Sequence, residues 1–335
     1  MLFWLELTAG ILGITGAAVV WWRFVAALRM HRARVTRGSQ VVSSRFGQIE
    51  FATVGHGAPV LVSHGGGGGF DQVVAAADRL IAAGYQIVAP SRFGFLRSAS
   101  PNDPSPGNQA DAFAALLDAL HIQSLPVVGI SVGTLAALQF AVRHPDRCRS
   151  LTVIVPAASA VLAAQGPLPD QSPIAKAIIW YIASSDFLFW LGMTLARDRM
   201  IRSMLATDPA VVASASPPER QRALNMLWNL MPISQRSQGF LNDVRFASAP
   251  QSIAVEEIKA PTLVVSLEDD FFRTLAPARF IAAHVPGARL LTYASGGHVW
   301  VGHDAELFAE VEAFLKQHSD VDEPVRSATN RSEVG

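Results

Sequence analysis

The sequence predicts an α/β protein built on a mostly parallel sheet with helices on both faces. Three observations carry that expectation. Apolar runs of strand length alternate with segments of helical spacing; the alternation stops at Pro156 and resumes at Pro261; and a long uncharged stretch at the N-terminus stands apart from both. At 335 residues, half of them hydrophobic, the chain is long enough for one large domain carrying an insertion.

Residues 1–37 come first. Leu7 to Trp22 is sixteen residues without a charge, and Leu2 to Leu28 is broken only by Glu6 and Arg23. A helix crosses a bilayer with about 20 apolar residues, so a membrane anchor is expected, with Trp21, Trp22 and Arg23 at the interface. Arg29, His31, Arg32, Arg34 and Arg37 follow, and no acid separates Glu6 from Glu50. By the positive-inside rule that basic flank, and the large domain with it, lies in the cytoplasm. No basic residue precedes the apolar run and no A-x-A-like site follows it, which counts against a cleaved signal peptide. The alternative is a long helix packed on the domain or on a second copy of the chain, where Gly10, Gly13 and Gly16 would permit close approach and a homo-oligomer.

The core is expected over 38–156 and 255–318. Phe46 to Gly55 reads as a hairpin. "PVLVSH" is a buried strand, Phe70 to Ala83 a helix, and "YQIVAP" a strand; Gln109 to Leu120 is a helix, "LPVVGI" a strand, Val132 to Arg143 a helix and "LTVIVP" a strand. Residues 157–254 have helical patterns without a comparable strand, and carry Trp180, Phe187, Phe189, Trp190 and Trp228. "PTLVVSL", a helix over 276–284, the strand "ARLLTY" and a helix over 305–317 complete the core, and 319–335 is a polar tail.

Charge and cysteine exclude some classes. With 27 basic and 27 acidic residues there is no basic footprint for nucleic acid. Cys148 stands alone, so no intrachain disulfide forms.

The chemistry gathers at strand ends. Gly129-Ile130-Ser131-Val132-Gly133 lies between a strand and a helix, where a serine on a sharp turn needs small neighbours two residues to either side. A serine hydroxyl is a poor nucleophile unless a base takes its proton and a third group orients that base. Among nine histidines, His298 follows the strand "ARLLTY" on a glycine-rich loop, and His64 at the end of "PVLVSH" is its rival. Glu268, Asp269 and Asp270 follow the strand "PTLVVSL", giving the chain order serine, acid, histidine.

From about Phe46 to His318 the chain resembles the α/β-hydrolase superfamily: "SHGGGGG" matches the oxyanion loop, "GISVGT" the nucleophile elbow, "SLEDD" the acid loop and "GGH" the base. The resemblance implies an α/β-hydrolase fold in which 157–254 is a helical cap. It implies Ser131 as nucleophile, His298 as base and Asp270 as acid, with Asp269 the alternative because Ser266 and Leu267 replace the usual His-Gly. It also implies the backbone N–H groups of Gly66 and Val132 as oxyanion donors, and a structural role for His64. Neither a dinucleotide fingerprint nor a P-loop fits the glycines: the third fingerprint glycine would fall on Phe70, and no Gly-Lys-Ser/Thr is present.

No metal or organic cofactor is implied. The expected activity is hydrolysis of an apolar carboxylic ester through an acyl-enzyme. Carbon–carbon bond hydrolysis, aminopeptidase action through Glu219 or Asp243, and acyl transfer are alternatives on the same triad. A membrane-associated binding protein without turnover is the alternative of another class.

Overall fold

The computed structural model describes residues 1–157, 184–248 and 253–318. A 34-residue helix α1 (Leu2–Val35) leads into a hairpin of β1 (Gln40–Ser44) and β2 (Gly47–Val54). The hairpin expected within Phe46–Gly55 is thus displaced. Within that segment Gly47–Val54 is one strand, and the turn falls at Arg45-Phe46, because "QVVSS" supplies the partner strand on the sheet edge.

The core continues through β3 (Ala58–Ser63), α2 (Phe70–Ala76), α3 (Asp78–Ala82), β4 (Tyr85–Pro90), α4 (Pro106–Ala119), β5 (Leu125–Ile130), α5 (Gly133–Arg143) and β6 (Cys148–Ile154). Within the insertion, the described residues form helices only: α6 (Asp186–Leu195), α7 (Arg197–Met204), α8 (Pro209–Ser214), α9 (Pro217–Trp228) and α10 (Ser237–Ser248), besides one short 3-10 turn. Trp180 and the tail 319–335 lie outside the described residues. The chain returns with β7 (Thr262–Leu267), α11 (Leu275–His284), β8 (Arg289–Tyr293) and α12 (Asp304–Gln317).

The eight strands among the described residues form one sheet in the order β1-β2-β4-β3-β5-β6-β7-β8, in which β2 alone of these runs against the rest. Each central strand is buried on both faces, so neighbouring residues feed different cores: Val127 packs with Phe113, Leu138 and Phe140, while Val128 packs with Phe70, Leu307 and Phe314. Burying each such side chain contributes about 1.5–3 kcal/mol. Strand order reverses between β3 and β5, which places the crevice for a ligand at the carboxyl ends of these two strands.

The insertion packs on that carboxyl edge. Phe271 N–H donates to Ala206 O at 3.0 Å, Arg222 Nη2 donates to Val299 O at 2.8 Å, and Asp243 pairs with Arg92. Its own core joins Phe189, Trp190, Met193 and Leu227 to Phe24 of α1. Phe187, Phe189, Trp190 and Trp228 therefore build the insertion's interior and the seat of α1.

Candidate active site

The nucleophile elbow is fixed by the middle of the sheet. Gly129 at the end of β5 pairs with Ser63 of β3 and Val153 of β6, and Ser131 N–H donates to Ile154 O at 2.9 Å. Ser131 has φ +53°, a left-handed conformation that costs a non-glycine residue of order 1–3 kcal/mol and turns its hydroxyl out of the strand. The turn admits no larger neighbours. A Cβ on Gly129 would lie 2.7 Å from Ala137 Cβ, and one on Gly133 would lie 2.5 Å from Ser63 O.

His298 sits on a 3-10 turn after β8, 8% exposed, with Nε2 2.9 Å from Ser131 Oγ and Nδ1 2.8 Å from Asp270 Oδ2. An ionised carboxylate only accepts, so Nδ1 carries the proton and the Nε2 lone pair faces the serine hydroxyl. Asp270 Oδ2 also accepts from Thr274 Oγ1 at 2.5 Å, and Oδ1 from Phe272 N–H at 2.8 Å. Ser266 bonds Thr274 Oγ1 at 2.9 Å and so extends this network. Asp269 faces elsewhere: it accepts from Gly296 N–H at 3.0 Å and Gly297 N–H at 2.8 Å, and thereby holds the loop that carries His298.

The glycine run lies against the elbow. A Cβ on Gly65 would meet Ser131 Cβ at 3.3 Å, and one on Gly66 would meet Val132 Cγ2 at 4.0 Å. Among the described residues, neither the Gly66 nor the Val132 N–H donates to a protein acceptor. His64 is fully buried; its Nε2 accepts from Arg92 N–H at 2.9 Å and its Nδ1 donates to Gly65 O at 2.8 Å. Burial holds it well below the usual imidazole range, and its nitrogens are spent on loop backbone, which leaves no base function.

Sequence reasoning missed the side chains that reach this edge from a distance. Arg92, after β4, donates to His64 O at 3.0 Å and Gly65 O at 3.1 Å, and grips Asp243 of α10 at 2.6 and 2.8 Å. Thr274 and Arg236 were equally hidden. The signal available for Arg92 was its place at a strand end in "APSRFG". The two acids considered for binding a substrate amine are both engaged: Asp243 by Arg92, and Glu219 by Arg222 and Gly302 N–H. A groove of about 1010 Å³ between α1, α2, α3 and α9 includes none of Ser131, Asp270 and His298. Among the described residues, no group of three or more His, Cys, Asp and Glu side chains is placed to hold a metal ion.

A sheet of this topology with a serine elbow, histidine and acid on its carboxyl edge defines an α/β hydrolase architecture. The chain belongs to the alpha/beta hydrolase fold family, whose model matches residues 58–301. It is 28% identical over 281 residues to the uncharacterized hydrolase YcgS of Bacillus subtilis, covering 77% of this chain and 91% of that protein. It is 27% identical over 262 residues to a 2-hydroxy-6-oxo-6-phenylhexa-2,4-dienoate hydrolase of Burkholderia cepacia, covering 75% and 85%. An alpha/beta hydrolase fold protein from Nakamurella multipartita superposes with a TM-score of 0.67 at 24% identity, over 84% of this chain and all of that one.

Proposed function

We propose that this chain is a serine hydrolase of apolar carboxylic esters, anchored in a membrane by α1 with its hydrolase domain in the cytoplasm. The observation that carries the hydrolytic reading is the chain Ser131 Oγ, His298, Asp270, with contacts of 2.9 and 2.8 Å. His298 Nε2 takes the hydroxyl proton as Oγ attacks the ester carbonyl, and the resulting imidazolium is stabilised by Asp270, which stays ionised. The oxyanion of the tetrahedral intermediate takes the N–H groups of Gly66 and Val132, each worth about 3–4 kcal/mol in the transition state. His298 then gives its proton to the leaving alcohol, and water repeats the sequence on the acyl-enzyme.

Carbon–carbon bond hydrolysis is the second reading, favoured by the Burkholderia relative. An ester demands less of the site, because protonation of an alkoxide completes the leaving step, whereas a carbanion must be stabilised as it departs. A dienoate also brings a carboxylate to be held. The described arginines beside the loop, Arg92 and Arg236, are already paired with Asp243 and Asp71.

The test is intact-mass labelling of the full-length protein with a fluorophosphonate, beside Ser131→Ala. One stoichiometric adduct, absent in the variant, is expected, together with hydrolysis of p-nitrophenyl esters that falls about a million-fold in Ser131→Ala. Substantial turnover in the variant would move the nucleophile elsewhere.

A further inference from the structure

We propose that Arg236 is a positioning residue for the oxyanion loop and that Arg34, at the end of α1, sets it through Asp71, so that docking of the N-terminal helix governs turnover at Ser131. This rests on the serine-hydrolase reading. A loop of five glycines has no side chains with which to pack itself, and its geometry must be imposed from outside. Two arginines do this. Arg92 holds the carbonyls of His64 and Gly65, and Arg236 Nη1 donates to the carbonyl of Gly68; Gly68 N–H closes the turn on Gly65 O at 3.2 Å. Gly66 lies between the two clamps.

The clamps also explain the glycines at the end of the run. A Cβ on Gly68 would lie 2.6 Å from His64 Nδ1, and one on Gly69 2.9 Å from both Arg236 Nη1 and Asp71 Oδ1. Gly67 has φ +68°.

Arg236 is 0% exposed and its Nη1 and Nη2 lie 3.1 and 2.7 Å from the carboxylate of Asp71, in the first turn of α2. The same Asp71 Oδ2 accepts from Arg34 Nη1, while Arg34 Nη2 donates to Asn229 O at 3.0 Å and Met231 O at 2.7 Å. One buried carboxylate thus serves two guanidinium groups, one from the membrane helix and one from the insertion. Buried ion pairs are weak stabilisers, since desolvation offsets their attraction, and a cluster with surplus positive charge is weaker still. What it supplies is geometry: without Arg34, Asp71 is free to follow Arg236, and the grip on Gly68 O shifts with it.

The experiment measures kcat, KM and the fluorophosphonate labelling rate of the full-length protein in detergent micelles. Arg34→Ala is expected to lower kcat by about ten- to a hundredfold, the cost of a small misplacement of a catalytic group, with KM within about twofold because the oxyanion donors act in the transition state. Labelling should slow by the same factor. Arg34→Lys keeps a charge opposite Asp71, and so the fold, but one ammonium cannot reproduce the guanidinium's contacts with both Asp71 and the two carbonyls, so it should recover only part of kcat. Arg32→Ala, which loses only the 3.7 Å pair between an exposed Arg32 and Asp186, should match wild type. Wild-type kcat and labelling in Arg34→Ala would overturn the proposal even if its melting temperature fell, as would a change confined to KM. A wild-type chain that neither labels nor turns over esters would overturn the serine-hydrolase reading itself, which separates the two failures.

Discussion

Asp269 and Asp270 are adjacent, similar in sequence context, and given different partners by the structure. Asp270 Oδ2 faces the imidazole, and Asp269 faces two backbone N–H groups of the loop that carries it. Asp270→Asn replaces an acceptor with a group that can present N–H to Nδ1, favouring the wrong tautomer, and should lower kcat about ten-thousandfold. Asp269→Asn keeps one oxygen for the glycine amides and only loosens the loop, so a loss of about tenfold is expected. Measuring kcat for both variants on one ester decides the assignment; an inverted order would exchange the two roles. The elbow glycines mark Ser131 because they are a steric requirement readable as a motif, whereas the strand ends alone offer His298 beside His64 and an acid among Glu268, Asp269 and Asp270, and only the family resemblance singles out His298 and Asp270. Arg92 and Arg236 were not legible, since their acidic partners lie more than 150 residues along the chain, and Thr274 was not, since no motif marks a threonine four residues past Asp270.

Among the elements, the elbow and the glycine loop constrain each other. Gly133 opens α5 directly beneath the carbonyls of Ser63 and His64, so the helix can approach β3 only without a Cβ. Gly133→Ala should therefore push the elbow away from the loop, destabilising the protein by about 1–3 kcal/mol as overpacking does and slowing fluorophosphonate labelling by more than that loss of folded protein accounts for. Thermal melts run beside labelling rates separate the two effects, and labelling at the wild-type rate would show that the approach is not tight. Alternating strands and helices were legible from apolar period alone. The β1 strand was missed because its exposed edge carries Gln40, Ser43 and Ser44, and no hydrophobic alternation marks it. The single helix expected over Phe70–Ala83 is broken at Ala77, where α3 begins anew.

At the scale of the molecule, α1 changes character near Arg23. Before it, apart from Trp21, whose ring lies 6.3 Å from that of Phe187, large apolar side chains stand free of the domain: Trp4 is 67% exposed, Ile14 73% and Trp22 69%. After it, Phe24 meets Phe187 edge-on at 5.2 Å, His31 stacks on Trp228 and Arg34 reaches Asp71. The helix is long and apolar enough to cross a membrane, and such a length of uncovered apolar surface is what a bilayer would cover. The composition of residues 1–37 marks the first half of this division; the second half, a docked segment, depends on contacts no local pattern announces, with Phe187 and Trp228 more than 150 positions away and with Asp71, 37 positions away. The full-length chain is therefore expected to remain in the membrane pellet through a high-salt wash and to leave it with detergent. A chain beginning at Arg23 should move to the soluble fraction with kcat unchanged, because Phe24, His31 and Arg34 stay in place. A chain beginning at Gly38 should also be soluble but slow, having lost the Arg34 contact that sets Asp71. Intact full-length protein in the salt-washed supernatant would refute the anchor, and equal kcat in the two shortened chains would refute the tie between the helix and the loop.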